Sequence, residues 1–156
     1  MFRADKILVP TDFSEEGIES SKAAVMQAIS IAEDTDTELI FLHVITDDIA
    51  KKPLFFLDDD KIAELKKDMR ENARSELTDF AQKYIGRRKI NFQVKVREGV
   101  AYNEILKEAN ESAVDLISIA TRGLSALHDF FYGSTTEKVV RRAACNVLVV
   151  RRFNGK

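Results

Sequence analysis

Two glycines and a run of hydroxyl side chains follow an apolar segment late in the chain. The segment VDLISIA occupies 114–120, Gly123 and Gly133 stand ten positions apart, and Ser-Thr-Thr occupies 134–136. These hydroxyl residues begin a predicted helix, whose first amides lack intrahelical partners and attract anions. Glycine lets a backbone approach anionic oxygens closely, and Arg122 adds a positive charge. The pattern therefore predicts a phosphate-binding site.

The same residue types also fit a purely structural interpretation. Ser134 and Glu137 have the spacing of a capping box, in which both side chains serve only to start a helix. Asp12, with Glu15 three residues later, can likewise be the N-cap of the first helix or a ligand contact. A capped helix still presents its remaining amides, so the two interpretations are compatible.

Length and charge favour one ordinary globular domain over residues 1–156. Lys and Arg total 24 against 26 Asp and Glu, so nucleic acid or an anionic membrane is not expected as the main partner. No apolar run reaches the roughly 20 residues that span a bilayer, and no signal peptide is evident. The single cysteine, Cys145, suits a reducing compartment. The expectation is a cytoplasmic protein.

Alternating strands and helices must position the candidate residues. The predicted strands are KILVP at 6–10, TELIFLHV at 37–44, INFQVKV at 90–96, VDLISIA at 114–120 and NVLVVRR from 146. The predicted helices run from Asp12 to about Glu33, from Lys61 to Tyr84 before Gly86, from Ala101 to Ser112, and from Thr135 to Ala144. This order predicts an α/β fold, a doubly wound parallel sheet with helices on both faces. The alternating third strand is expected at an edge, buried on one face.

Three predicted strands end in residues that could meet a ligand. In open parallel sheets, ligands bind outside the carboxyl ends of the strands, where the strand order reverses. The first strand ends in Pro10–Asp12, the second in His43 and Val44, and the fourth in Ala120–Gly123. Neither His43 nor His128 has a cluster of metal ligands at suitable spacing, so a metal site has little support.

The segment 45–60, ITDDIAKKPLFFLDDD, lacks a clean period. Its PLFFL portion is too apolar for a simple solvated linker. Loops of this length either pack on the edge of their own domain or act as lids or partner contacts. A lid, a dimer contact and edge packing are therefore all open interpretations.

Taken together, several motifs resemble the universal stress protein family over essentially the whole chain. They are KILVPTDFSE from residue 6, LHV at 42–44, EG-x5-I ending at Ile105, G-x9-GS-x-TE-x-V from Gly123, and NVLVVRR from 146. The resemblance implies a flavodoxin-like sheet of five strands in the order 3-2-1-4-5. It also implies homodimers, often paired through the last strand, and binding of ATP, with or without Mg²⁺, in many members.

The UspA-like, ATP-binding branch of that family carries the pattern G-x2-G-x9-G-[ST]. The first glycine is replaced here by Ala120, which costs almost nothing at negative φ and roughly 1–2 kcal/mol in a left-handed conformation. The resemblance implies a binding site formed by Pro10, Thr11 and Asp12 on the adenine and ribose side, Val44 at an adenine contact, and Ala120, Arg122, Gly123, Gly133, Ser134, Thr135 and Thr136 around the phosphates.

The expected function is that of an ATP-binding regulatory protein of the stress response, acting as a homodimer. A slow ATPase is one alternative, with Asp12 orienting water or Mg²⁺, although the chain has no G-x4-G-K-[ST] loop. A nucleotide-free interaction module that uses the PLFFL segment is another. A flavin-binding electron carrier is compatible with the fold alone.

Overall fold

The computed structural model describes residues 2–13, 17–46, 57–121 and 134–151. Several predicted features lie outside the described residues. These are Glu15, the segment 47–56 with most of PLFFL, His128, and the site residues Arg122, Gly123 and Gly133.

Five strands and four helices make up the described part of the chain. The strands are β1 (Lys6–Thr11), β2 (Glu38–Thr46), β3 (Phe92–Gly99), β4 (Leu116–Ala120) and β5 (Asn146–Val150). The helices are α1 (Ile18–Ala32), α2 (Asp59–Ile85), α3 (Ala101–Glu111) and α4 (Ser134–Arg142). All strands pair in parallel, in the order β3-β2-β1-β4-β5. The predicted fold class and strand order are confirmed.

Two apolar clusters cover the two faces of the sheet. Side chains of a strand point alternately to opposite faces, so nearly continuous apolar runs such as ILV and LIFL supply both clusters at once. On one face, Ile7, Val9, Leu39 and Phe41 pack with α1 and α2. On the other face, Leu8, Ile40 and Leu42 pack with α3 and α4. The helices that follow β1 and β4 therefore lie on opposite faces.

A buried hydroxyl fixes α1 on the sheet. Ser118 of β4 is fully buried, and its hydroxyl donates to the carbonyl oxygen of Ala24 at 2.9 Å. A buried hydroxyl without a partner would cost about 1–3 kcal/mol, so this bond is part of the packing between β4 and α1.

The prediction that Asp12 caps the first helix is wrong. Helix α1 begins at Ile18 with Gly17 at the N-cap, five residues after the predicted N-cap at Asp12. Its end is as predicted, with Glu33 at the C-cap. The later start has a tertiary cause, because the ring of Phe13 packs in the core against Phe80, at a centroid distance of 5.5 Å.

Helix α2 begins two residues before the prediction. The carboxylate of Asp58 is its N-cap and accepts a hydrogen bond from the amide of Lys61 at 2.8 Å. Gly86 ends the helix with φ of 59°, as the sequence predicted. Local cap chemistry therefore determines both ends of this helix.

Strand β3 lies at the sheet edge and packs apolar side chains on one face only, as predicted. Its apolar residues Phe92 and Val94 pack on the α1–α2 side. On the other side, Lys95 and Arg97 form ion pairs with carboxylates of α3. Long cationic side chains cover that face because their stems pack while their charges are paired.

The glycine that ends β3 allows a test of this arrangement. Gly99 has φ of 141°, and a Cβ there would lie 2.9 Å from Oε1 of Glu104. Backbone strain alone would cost Gly99→Ala about 1–3 kcal/mol. We expect the free energy of unfolding to fall by more than this, because the new Cβ also displaces Glu104. Urea unfolding measures this change. Gly86→Ala is the matched control, since Gly86 also has positive φ but a Cβ there meets nothing within 4 Å. Equal losses in the two variants would contradict the expectation.

Candidate functional site

A cleft of about 710 Å³ opens at the carboxyl ends of the strands, in the size range of small-molecule sites. It lies where β1 and β4 are neighbours and their following helices leave to opposite faces. The structure brings together in its lining every described member of the predicted site: Pro10, Thr11, Asp12, Val44, Ala120, Ser134, Thr135 and Thr136.

His43, which the sequence placed at the end of the second strand, also lines the cleft. The other lining residues were not singled out as site residues by the sequence. They are Phe13, Gly17, Ser20, Ser21, Leu42, Ile45, Thr46, Ala101, Ile105 and Ile119. Part of this set could have been predicted from the sequence. Helices that follow parallel strands begin at the edge formed by the carboxyl ends of those strands, so their first turns border any site there. The starts of α1 and α3 therefore join that of α4 around the cleft.

One wall of the cleft forms because β2 is longer than β1. The pairing of these strands stops at Thr11 and His43, whereas β2 remains paired with β3 as far as Thr46 and Gly99. The carbonyl of Leu42 faces β1, since it accepts a hydrogen bond from the Thr11 hydroxyl at 3.1 Å. By the alternation of parallel strands, the carbonyl of Val44 also faces that side, past the end of β1. It is placed to accept a hydrogen bond from a ligand amino group.

Hydroxyl groups hold the ends of β1 and β4 by bonds to the backbone. Besides Thr11, Ser21 of α1 accepts from the amide of Asp12 at 2.8 Å. Thr136 of α4 donates to the carbonyl of Ala120 at 2.8 Å. Thr11 and Thr136 are both buried. These side chains fix the edge of the cleft, which distinguishes them from Ser134, whose side chain is exposed.

The carboxylate of Asp12 rests against Gly17. A Cβ at Gly17 would lie 2.2 Å from Oδ2 and 2.7 Å from the Cβ of Asp12. Distances that short are not tolerated, so any larger residue at 17 would displace the Asp12 side chain. The absent side chain of Gly17 thus provides the space in which Asp12 borders the cleft.

An aromatic pair forms part of the floor. The rings of Phe13 and His43 are tilted with centroids 5.0 Å apart, and Nδ1 of His43 lies 3.4 Å from the Thr11 carbonyl oxygen. These contacts place His43 beside the core with a backbone partner within hydrogen-bond distance. Since both residues line the cleft, the pair also offers an aromatic surface to a ligand.

The polar end of the cleft is the first turn of α4. Ser134 is exposed, Thr135 is half-buried, and the amides of this turn have no intrahelical acceptor. Glu137 pairs with Arg141 one turn later, at 2.9 Å. Such a helix end is suited to an anionic group.

Ala120 carries no backbone strain. Among the described residues, the positive-φ residue other than glycine is Ala113, so Ala120 has negative φ. Its methyl packs with the apolar cluster on the α1–α2 side of the sheet. Replacement of a glycine by alanine therefore has no conformational cost at this position.

Ion pairs between β3 and α3 support the opposite wall. Arg97 donates to Glu104 at 2.7 Å and to Glu111 at 2.9 Å, while Lys95 lies 3.2 Å from Glu108. The hydrogen bond from Arg97 lowers the pKa of the Glu104 carboxyl, whose side chain is 12% exposed. These bonds hold α3 along its length, and the one to Glu104 holds its first turn, between Ala101 and Ile105, which line the cleft.

Two further classes of feature are absent from the described residues. Within residues 2–13, 17–46, 57–121 and 134–151, no group of three or more His, Cys, Asp or Glu side chains could hold a metal ion. No helix among them is long and apolar enough to cross a membrane.

Comparison with known proteins agrees with this architecture. A sequence model of the universal stress protein family matches residues 3–151. The chain belongs to the universal stress protein family. Universal stress protein MJ0531 of Methanocaldococcus jannaschii is 31% identical over 151 residues, which cover 94% of this chain and 82% of that protein.

Two solved structures of universal stress proteins are similar to this chain over nearly their whole length. MJ0577, from the same organism, has a TM-score of 0.77 at 30% identity and covers 97% of this chain and 98% of its own. UspA from Lactobacillus plantarum has a TM-score of 0.75 at 28% identity, covering 97% and 100%. The α/β fold and sheet order described above are therefore those of universal stress proteins.

The lowered pKa of Glu104 makes the α3 wall sensitive to acid. An unfolded glutamate has a pKa near 4.3, and the pKa of Glu104 in the folded protein lies below that value. The bond between Glu104 and Arg97 therefore stabilises the fold fully above the unfolded pKa. This stabilisation is lost as the pH falls through the folded pKa. We expect Glu104→Gln to lower the free energy of unfolding by about 1–2 kcal/mol at pH 7, and by less at pH 3. Glu137→Gln is the control, since its exposed pair contributes little. Urea unfolding measures the loss in both variants. If the free energy of unfolding of Glu104→Gln differs from that of the wild type by the same amount at pH 7 and pH 3, this expectation is wrong.

Proposed function

We propose that this universal stress protein binds an adenine nucleotide, foremost ATP, in the cleft and acts as a regulatory homodimer in a stress response. The observation that carries the proposal is the meeting of eight residues from four separate segments around one cleft. Their side chains and backbone divide it into an apolar part, suited to a base, and a polar end at α4.

The apolar part lies between Pro10, Val44, Ala101 and Ile105, with the aromatic pair of Phe13 and His43 beside it. The Val44 carbonyl can accept from the amino group of adenine. Asp12, beside it at the end of β1, can accept from ribose hydroxyls, which are good donors to a carboxylate.

The polar end suits the phosphates. The first turn of α4 offers amides and the side chains of Ser134 and Thr135. Among the described lining residues, the acidic side chain is that of Asp12. Mg²⁺ bound with ATP usually keeps several waters and needs only one or two carboxylates, so this lining suits it. Arg122, Gly123 and Gly133 remain proposed contacts from sequence.

Nucleotides occur as ligands in two solved universal stress proteins. One was determined in complex with cAMP and has a TM-score of 0.63 at 23% identity. Another, from Arabidopsis thaliana, was determined with AMP bound and has a TM-score of 0.66 at 19% identity. Those ligands belong to those proteins, and at such identity the likeness shows a shared fold alone. The ligand of the present chain is proposed from its own cleft.

Isothermal titration with MgATP tests the site. We expect binding by the wild type and roughly tenfold weaker binding by Gly17→Ala, because the new Cβ displaces the Asp12 carboxylate. Gly86→Ala is the matched control, a glycine substitution remote from the cleft, and should bind as the wild type does. Absence of heat and of any thermal shift at millimolar MgATP would refute nucleotide binding.

The two sheet edges favour β5 as the dimer contact. In the described part of the chain, β5 has a strand partner on one side only, and its residues Val147, Leu148 and Val149 are uncharged and half-buried. The other edge, β3, carries Lys95 and Arg97. Charged edge strands resist pairing with another chain.

Sedimentation analysis tests this dimer. The wild type should have about twice the 17.7 kDa mass of one chain. Val147→Lys should shift it toward the monomer, since two like charges would approach across the paired strands. Gln93→Lys places the same charge on β3 as the matched control and should remain dimeric. A dimer dissociated by Gln93→Lys but not by Val147→Lys would place the contact elsewhere.

A further inference from the structure

Thr136 differs from the two hydroxyl residues that precede it in α4. Ser134 is exposed and Thr135 is half-buried, whereas Thr136 is 4% exposed. Its hydroxyl donates to the carbonyl oxygen of Ala120 at 2.8 Å. A hydroxyl has a single hydrogen to donate, so Thr136 has no donor left for a phosphate oxygen.

The acceptor of this bond is the last residue of β4. On the side of β5, the next amide, that of Thr121, donates to the carbonyl of Val150 at 3.0 Å. The end of β4 is thus tied to α4 on one side and to β5 on the other. The Thr136 bond joins residues sixteen positions apart in sequence and fixes the first turn of α4 relative to the strand.

The bond also has an electrostatic effect. Ala120 and Thr136 both line the cleft, next to the amides that would meet phosphates. A carbonyl oxygen carries partial negative charge, and without a donor it would repel anionic oxygens at that place. The Thr136 hydroxyl offsets this charge with its own hydrogen.

We propose that Thr136 is a positioning residue that sets the preference of the cleft for highly phosphorylated nucleotides, and is not itself a phosphate ligand. The inference rests on the proposed nucleotide binding and replaces the direct contact expected from sequence. Its effect on affinity must increase with the number of phosphates, because both the fixed amides and the neutralised carbonyl act on phosphate charge.

Two substitutions separate the hydroxyl from the rest of the side chain. Thr136→Val keeps the shape and removes the donor, while Thr136→Ser keeps the donor and removes the methyl. Isothermal titration with MgATP, AMP and adenosine then compares each variant with the wild type. We expect Thr136→Val to weaken MgATP binding about five- to tenfold, AMP binding less, and adenosine binding by under twofold. Thr136→Ser should bind all three within about twofold of the wild type.

Other results would overturn the inference. Equal losses for MgATP and adenosine would show that Thr136 only stabilises the fold, and a Ser variant as weak as the Val variant would assign the effect to the methyl. If Thr136→Val binds MgATP as the wild type does, the inference fails while nucleotide binding stands. A wild type that binds none of the three ligands removes nucleotide binding and the inference together. Circular dichroism checks folding, and Thr136→Ala replaces the Val variant if that one does not fold.

Discussion

The cleft depends on one topological constraint, the parallel pairing of β1 with β4. Right-handed crossovers carry the chain from these neighbouring strands to opposite faces, with α1 on one side and α4 on the other. No helix can then cover the junction between the two strand ends. The space left there is bordered by carbonyl groups, helix amides and short hydroxyl side chains, at the edge where open α/β sheets bind their ligands.

The edge of that space is rigid because its polar groups bond first to the protein. Thr11, Ser21 and Thr136 all bond to backbone groups at the ends of β1 and β4 or at the point where β2 extends past β1. Backbone groups there have lost their strand partners, and buried ones without a bond would be costly. The hydroxyls of these three residues therefore have a folding role, whereas Ser134 of α4 is exposed and Thr135 is half-buried in the lining of the cleft.

How far the sequence predicted this structure follows from the range of each interaction. The five strands and the end of α2 at Gly86 rest on local apolar runs and cap chemistry, and these predictions were close. The start of α1 was missed because Phe13 is drawn to Phe80, a residue distant in sequence. The contact of Gly17 with Asp12 and the pairing of Arg97 with Glu104 also depend on distances that no spacing rule supplies.

The buried bond between Ser118 and Ala24 limits how α1 can move. A shear displacement along the helix axis would break it and leave a hydroxyl unpaired in the middle of the apolar core. Bending or unwinding of the amino-terminal turn, near Gly17, leaves the same bond intact. Any conformational response of this helix to an occupant of the cleft is thus a hinge motion rather than a sliding one.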